Sequence, residues 1–183
     1  MSVAITVVPK LTRSARADVL VVPHTPRLPA SVKEVLRTRD YKGDWGTADL
    51  IVAPRGSEVP FLGVVGLGKE SDAARRAEAL RRGLAQVIVD ARAHALKVVA
   101  LDLHEEPDAE TLARAAGEAA ELTTYAFAKH KQSLARQQRA RGVRTLVMVV
   151  DGKRLAKVAR AVREGQRVME GVKLTRDLVS EPA

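Results

Sequence analysis

Apolar residues along this chain gather into two kinds of run. Six are short, rich in Val, Ile and Leu, and closed off by turn residues: Val3 to Val8, Asp18 to Val22, Asp49 to Ala53, Phe61 to Val65, Val98 to Leu103 and Val143 to Val150. Runs of that kind predict strands. The nearly unbroken apolar character of Val19 to Val22, Val98 to Leu101 and Leu146 to Val150 predicts strands covered on both faces, as in a largely parallel sheet between helices. Longer stretches repeat at the helical period instead. Between Ser71 and Ala95 the apolar positions Ala73, Ala77, Leu80, Leu84, Val87, Ile88 and Ala91 form one face, with Ser71 as the expected cap. A second helix is predicted from about Asp108 to Ala128, with Leu112, Ala116, Ala119 and Leu122 inward and Pro107 beside its start. A third is predicted from about Gly152 through Val172, its inner arc made of Leu155, Val158, Ala159, Val162, Gln166 and Met169; a shorter one is expected over Ser31 to Arg39. The resulting order, β-β-α-β-β-α-β-α-β-α, argues for an α/β sandwich: a mixed, largely parallel sheet of about six strands flanked by helices.

Length and composition narrow the class. With 183 residues and 46% hydrophobic side chains, one domain burying roughly 70% of its unfolded surface is expected. No apolar run approaches the roughly 18 residues of a membrane span, and the start, MSVAITVVPK, lacks the regions of a secretory signal. A cytoplasmic protein with no membrane partner is expected. Zero cysteines exclude disulfides, thiolate metal ligands and cysteine nucleophiles together.

Charge is unevenly spread. Up to Ala128 the chain carries 17 basic and 17 acidic residues, whereas Lys129 to Lys173 holds 13 basic against three acidic, a net +10. Lys153, Lys157, Arg160, Arg163 and Arg167 span about 80° to about 200° on a helical projection whose apolar arc lies near zero, so the third long helix has a cationic back. With Lys129, Lys131, Arg136, Arg139, Arg141 and Arg144 from the preceding polar connection, it would suit the phosphates of a nucleic acid. The same stretch has no aromatic residue to stack on bases, so any such binding is expected to be non-specific; a merely solvated helix back is the alternative.

Other candidate chemistry is sparse. Gly66-Leu67-Gly68-Lys69 stands between a strand and a helix, where glycines let backbone amides approach a phosphate. The third glycine of the dinucleotide fingerprint is missing, and the Gly spacing is too short for a P-loop, so a tight strand-to-helix turn is the favoured reading. His24, His94, His104 and His130 are scattered, and no ligand pair stands at metal-binding helical spacing, so no catalytic residue and no metal site are assigned. Asp102, Glu105, Glu106, Asp108 and Glu110 cluster at a predicted helix start, where negative charge suits the dipole; a solvated first turn is expected.

Four segments carry a family resemblance. They are VVGLGK at Val64 to Lys69, GEAAELTTYAFAKHK at Gly117 to Lys131, the basic connection leading into VRTLVMVV, and the last helix continuing into TRDLVSEPA at Thr175 to Ala183. Together they resemble the N-terminal domain of the leucine (cytosol) aminopeptidases, although Ser180 stands where that family commonly has Asn. The resemblance implies a macro-domain-like α/β fold without catalytic residues or cofactor of its own. It further implies a C-terminal catalytic domain with two divalent metal ions, zinc or manganese, and a hexamer that releases N-terminal residues from peptides. On that basis residues 1–173 are the non-catalytic domain, 174–183 begin the connection, and Leu174, Leu178 and Val179 would meet the catalytic domain or else fray. Two alternatives remain: non-specific DNA binding by the basic stretch, which some bacterial members of the family also show, and a macro-like small-ligand site at Gly66, Gly68 and Lys69.

Overall fold

The computed structural model describes residues 3–11, 17–23, 28–69, 72–125 and 142–180. Its strands are β1 (Ala4–Val8), β2 (Val19–Pro23), β3 (Ala48–Val52), β4 (Phe61–Val65), β5 (Val98–Asp102) and β6 (Thr145–Val149). The helices are α1 (Ala30–Thr38), α2 (Ala73–Ala93), α3 (Ala109–Thr124) and, after a 3-10 turn at Gly152–Arg154, α4 (Leu155–Ser180). The expected element order is the observed one. The strands form one sheet in the order β1-β6-β5-β2-β4-β3, with β3 antiparallel to β4 and every other pair parallel.

Alternation along the strands divides the sheet into two faces. Val19, Val21, Val65, Val99, Leu101, Leu146 and Met148 turn to the side covered by α2, α3 and α4, forming the main core with Leu80, Leu84, Val87, Leu112 and Val158. Leu20, Val22, Ile51, Leu62 and Val64 turn to the other side, where Val32 and Leu36 of α1 cover them. Asp18 precedes β2 rather than beginning it. Its carboxylate accepts the amides of Lys97 and Val98 at 2.6 and 2.9 Å, tying the start of β2 to that of β5.

Helix ends differ from expectation at three places. The cap of α2 is Asp72, whose side chain accepts the Arg75 amide at 2.8 Å, and Ser71 lies outside the described residues. α3 ends at Thr124 rather than Ala128. α4 continues past Val172 to Ser180, so the boundary expected at 173/174 falls inside a helix about 39 Å long. Its last turns, through Ser180, are helical. α4 lies along α3 closely because Gly165 faces it: a Cβ there would stand 2.8 Å from the Arg114 carbonyl oxygen.

Ion pairs fix the register of the three-helix layer. Arg81 of α2 reaches Glu118 of α3 at 2.6 Å, and Arg114 holds the other oxygen of that carboxylate at 3.2 Å. Arg154 clamps Glu110 and donates to the carbonyls of Glu106 and Pro107 at 2.6 and 2.7 Å. Among the described residues, no helix is long and apolar enough to cross a membrane.

Candidate functional site

The turn after β4 is filled by the chain itself. The Gly66 amide donates to the Thr47 carbonyl at 2.9 Å and its carbonyl accepts from Gly46 at 2.9 Å. A Cβ on Gly66 would lie 2.2 Å from the Asp44 oxygen, and Gly68, at φ +71, packs on Trp45. The Trp45 ring donates to the Arg75 carbonyl at 3.0 Å and lies under the Arg82 guanidinium at 4.7 Å. Gly66 thus has no free amide for a phosphate, and the glycines serve close packing of the 43–47 loop. Lys69 is exposed beside this turn.

A small cavity sits elsewhere, where the strand connections diverge. The chain leaves β2 toward β4 on one side, while it leaves β5 toward β6 on the other; such a switch point is the usual ligand crevice of open α/β sheets. The cavity here has a volume of about 160 Å³ and is lined by Val22, Pro23, Leu28, Pro29, Asp102, Glu105 and Glu106. Three carboxylates on its wall make it hostile to phosphate. Glu106 and Asp108 are not the solvated first turn expected of them: both are bound by Arg76, Asp108 at 3.0 Å, with side chains only 11% and 14% exposed. Burial pushes the Glu106 carboxyl above its usual range, against the pull of Arg76. Glu110 is held below its usual range by its hydrogen bonds from Arg154. Asp108 stands at the cap of α3 but makes no cap bond. Instead its second oxygen is buried without a partner.

No metal centre emerges from these groups. Among the described residues, no three His, Cys, Asp or Glu side chains are grouped to hold an ion. His94 stacks on Phe61 at 5.7 Å, and His24 and His130 lie outside the described residues. The resemblance places the two-metal chemistry in a separate catalytic domain, and no group of the described residues is arranged for it.

The remaining candidate surface is the outer side of α4. Val158, Val162, Gly165 and Met169 are buried, as the inner arc requires. Lys153, Lys157, Arg160, Arg163 and Arg167 are exposed on the opposite side, with Arg160 paired to Glu164 at 3.0 Å. Arg144 is exposed but precedes β6, at the far end of that strand from Lys153. Lys129, Lys131, Arg136, Arg139 and Arg141 lie outside the described residues.

Beyond Met169 the polarity of α4 inverts. Lys173 and Asp177 continue the inner side, and they meet α3 through Glu121 and Tyr125. Leu174 and Leu178 fall at about 100° and about 140° on the helical projection, within the arc that is cationic earlier in the helix. They are 61% and 66% exposed, and Val179 is 80% exposed. Polar groups of this helix end thus face α3 while its two leucines face solvent. The inward polar set Glu121, Tyr125, Lys173 and Asp177 is absent from the sequence reading, because apolar periodicity carries no trace of it.

Comparison with known proteins decides the family. The family model for the N-terminal domain of the cytosol aminopeptidase family matches residues 25–134. A probable cytosol aminopeptidase of Xanthobacter autotrophicus is 33% identical over 159 residues, covering 84% of this chain and 30% of that protein. The chain belongs to the cytosol aminopeptidase family. A second such relative, from Roseiflexus castenholzii, is 31% identical over 85% of the chain and 32% of its own length. The chain thus spans about a third of the length of these relatives. Solved structures with the same fold include a mutant of tomato leucine aminopeptidase (TM-score 0.66, 14% identity, 100% of this chain and 39% of that one). Another is the bottromycin maturation enzyme BotP in complex with Mn (TM-score 0.65, 23% identity, 91% and 32%). The mixed six-stranded α/β fold described above is thus shared with these structures.

Proposed function

We propose that this chain works as the non-catalytic N-terminal domain of a leucyl aminopeptidase, helping to assemble a hexamer and to shape access to its active sites. The parent reaction on this reading is release of N-terminal amino acids from peptides, with two divalent metal ions, zinc or manganese, activating water outside the residues seen here. One observation carries the proposal: among the described residues, Leu174, Leu178 and Val179 are large apolar side chains left exposed at the end of a continuous helix. The relatives are about three times as long, and their remaining part is the natural cover for that face. The direct test is hydrolysis of leucine amide or leucine anilide by the purified chain with added manganese or zinc. No turnover above a metal-only control is expected; turnover that follows the chain through purification would overturn the reading.

A second reading rests on the first half of the same face. Lys153 on the 3-10 turn and Lys157, Arg160, Arg163 and Arg167 on α4 are exposed in succession, a spacing suited to a nucleic acid backbone. This reading makes the domain a weak, non-specific DNA binder.

A further inference from the structure

Two short-range contacts hold the inverted end of α4. Glu121, only 2% exposed, is bound by the Lys173 ammonium and by the Gln166 amide at 3.3 Å. One helical turn further on, the Tyr125 hydroxyl donates to the Asp177 carboxylate at 2.5 Å, and the Arg176 guanidinium lies 5.8 Å from the same ring. Tyr125 caps α3, with extended backbone, so the fastening sits where α3 stops and α4 runs on.

Among the described residues, little else supports that part of α4. After Met169, α4 has no buried residue, and its large apolar side chains Leu174, Leu178 and Val179 face solvent. A helix end lacking apolar burial frays readily. A carboxylate as buried as that of Glu121 is costly unless paired, and Lys173 pairs with it where an apolar contact would have served stability better. The polar choice leaves the apolar residues for the outward side. It also gives a directional contact in place of a non-directional one.

We propose that Glu121 and Tyr125 are positioning residues: they fasten the distal turns of α4 in line with α3, so that Leu174 and Leu178 stand ready before a partner arrives. This rests on the reading that the outer face is docked by the remainder of the aminopeptidase. The fastening is nevertheless a property of the chain alone and can be measured there.

The experiment is site-resolved hydrogen exchange on the chain, paired with thermal unfolding, for the parent, Tyr125→Phe, Glu121→Gln and the exchanged pair Glu121→Lys/Lys173→Glu. Tyr125→Phe removes one hydroxyl from a partly exposed ring and leaves the fold intact. Amides 174–180 should exchange roughly threefold to tenfold faster in Tyr125→Phe, since local opening is controlled by the contacts of the opening segment. Those of 158–165 and the melting temperature should stay as in the parent. Glu121→Gln should act in the same direction, and the exchanged pair should recover part of the protection. Unchanged exchange at 174–180 in Tyr125→Phe would overturn the proposal. So would acceleration spread evenly over the molecule with a lowered melting temperature, which marks a purely structural role. The peptidase assay does not depend on these residues, so the docking reading and the fastening fail separately.

Discussion

Gly66 shows how a single residue can be dictated by a segment remote in sequence. An added methyl would press on the Asp44 and Gly43 carbonyl oxygens, and the Asp44 oxygen is held by the Thr47 amide and hydroxyl. Gly66→Ala should therefore cost about 1 to 3 kcal/mol in urea unfolding. Gly171→Ala is the matched control: nothing lies within 4 Å of that position, and the exchange should stabilise α4 by up to about 1 kcal/mol. Glu110 gives a second test, in pH. Its carboxyl is held below the usual range by Arg154, so the stability it confers is complete above about pH 4.3, the ordinary value, and is lost as pH falls through the lower folded value. Glu110→Gln should flatten that part of the acid unfolding curve while lowering stability at neutral pH. Sequence alone misjudged this neighbourhood for a plain reason. The partners of Glu106 and Asp108 come from Arg76, 30 and 32 residues away, and no local pattern announces such a contact. Nor does anything near Gly66 in sequence reveal that the 43–47 loop fills the turn.

Elements were legible wherever apolar residues do the fastening. The six strands and the short α1 follow from runs of Val, Ile and Leu bounded by turns, within a residue or two of the observed ends. The cap of α2 slipped by one because Ser71 and Asp72 are both good caps, and the neighbour whose carboxylate reaches the Arg75 amide is the one used. α4 was read eight residues short for a more interesting reason: its inner side turns polar after Met169, so the apolar period fades while the helix continues. The outer side of the same helix carries the test of the nucleic acid reading. If its cations contact phosphate, duplex DNA should bind weakly with little sequence preference. The log–log salt slope should lose about 0.9 for each phosphate contact removed when Lys153, Lys157, Arg160 and Arg163 are changed to Gln. Equal binding by parent and quadruple variant would leave these side chains as a solvated helix back. The cavity between β2 and β5 could not have been read at all, because it depends on strand order, and strand order is set by crossovers that leave no local mark.

At the scale of the whole molecule, the sheet and its three-helix layer are tied by one continuous core and by ion pairs that cross from α2 to α3 and from α3 to α4. Such a body should unfold as a unit. Trp45 is the sole tryptophan and lies between Gly68 and Arg82, so its fluorescence reports the turn after β4, while far-ultraviolet circular dichroism reports the helices. The two urea transitions should share a midpoint; a fluorescence change that precedes the loss of helix would show the 43–47 loop opening on its own. The close contact at Gly165 has a mechanical side as well. From Gly165 to Ser180 is a rod of about 22 Å, so a tilt of 10° about that contact swings its tip by about 4 Å, about the width of a methyl group. A bulky side chain at Gly165 would act as a wedge under a lever, and its effect would be felt less as lost stability than as misalignment at the far end.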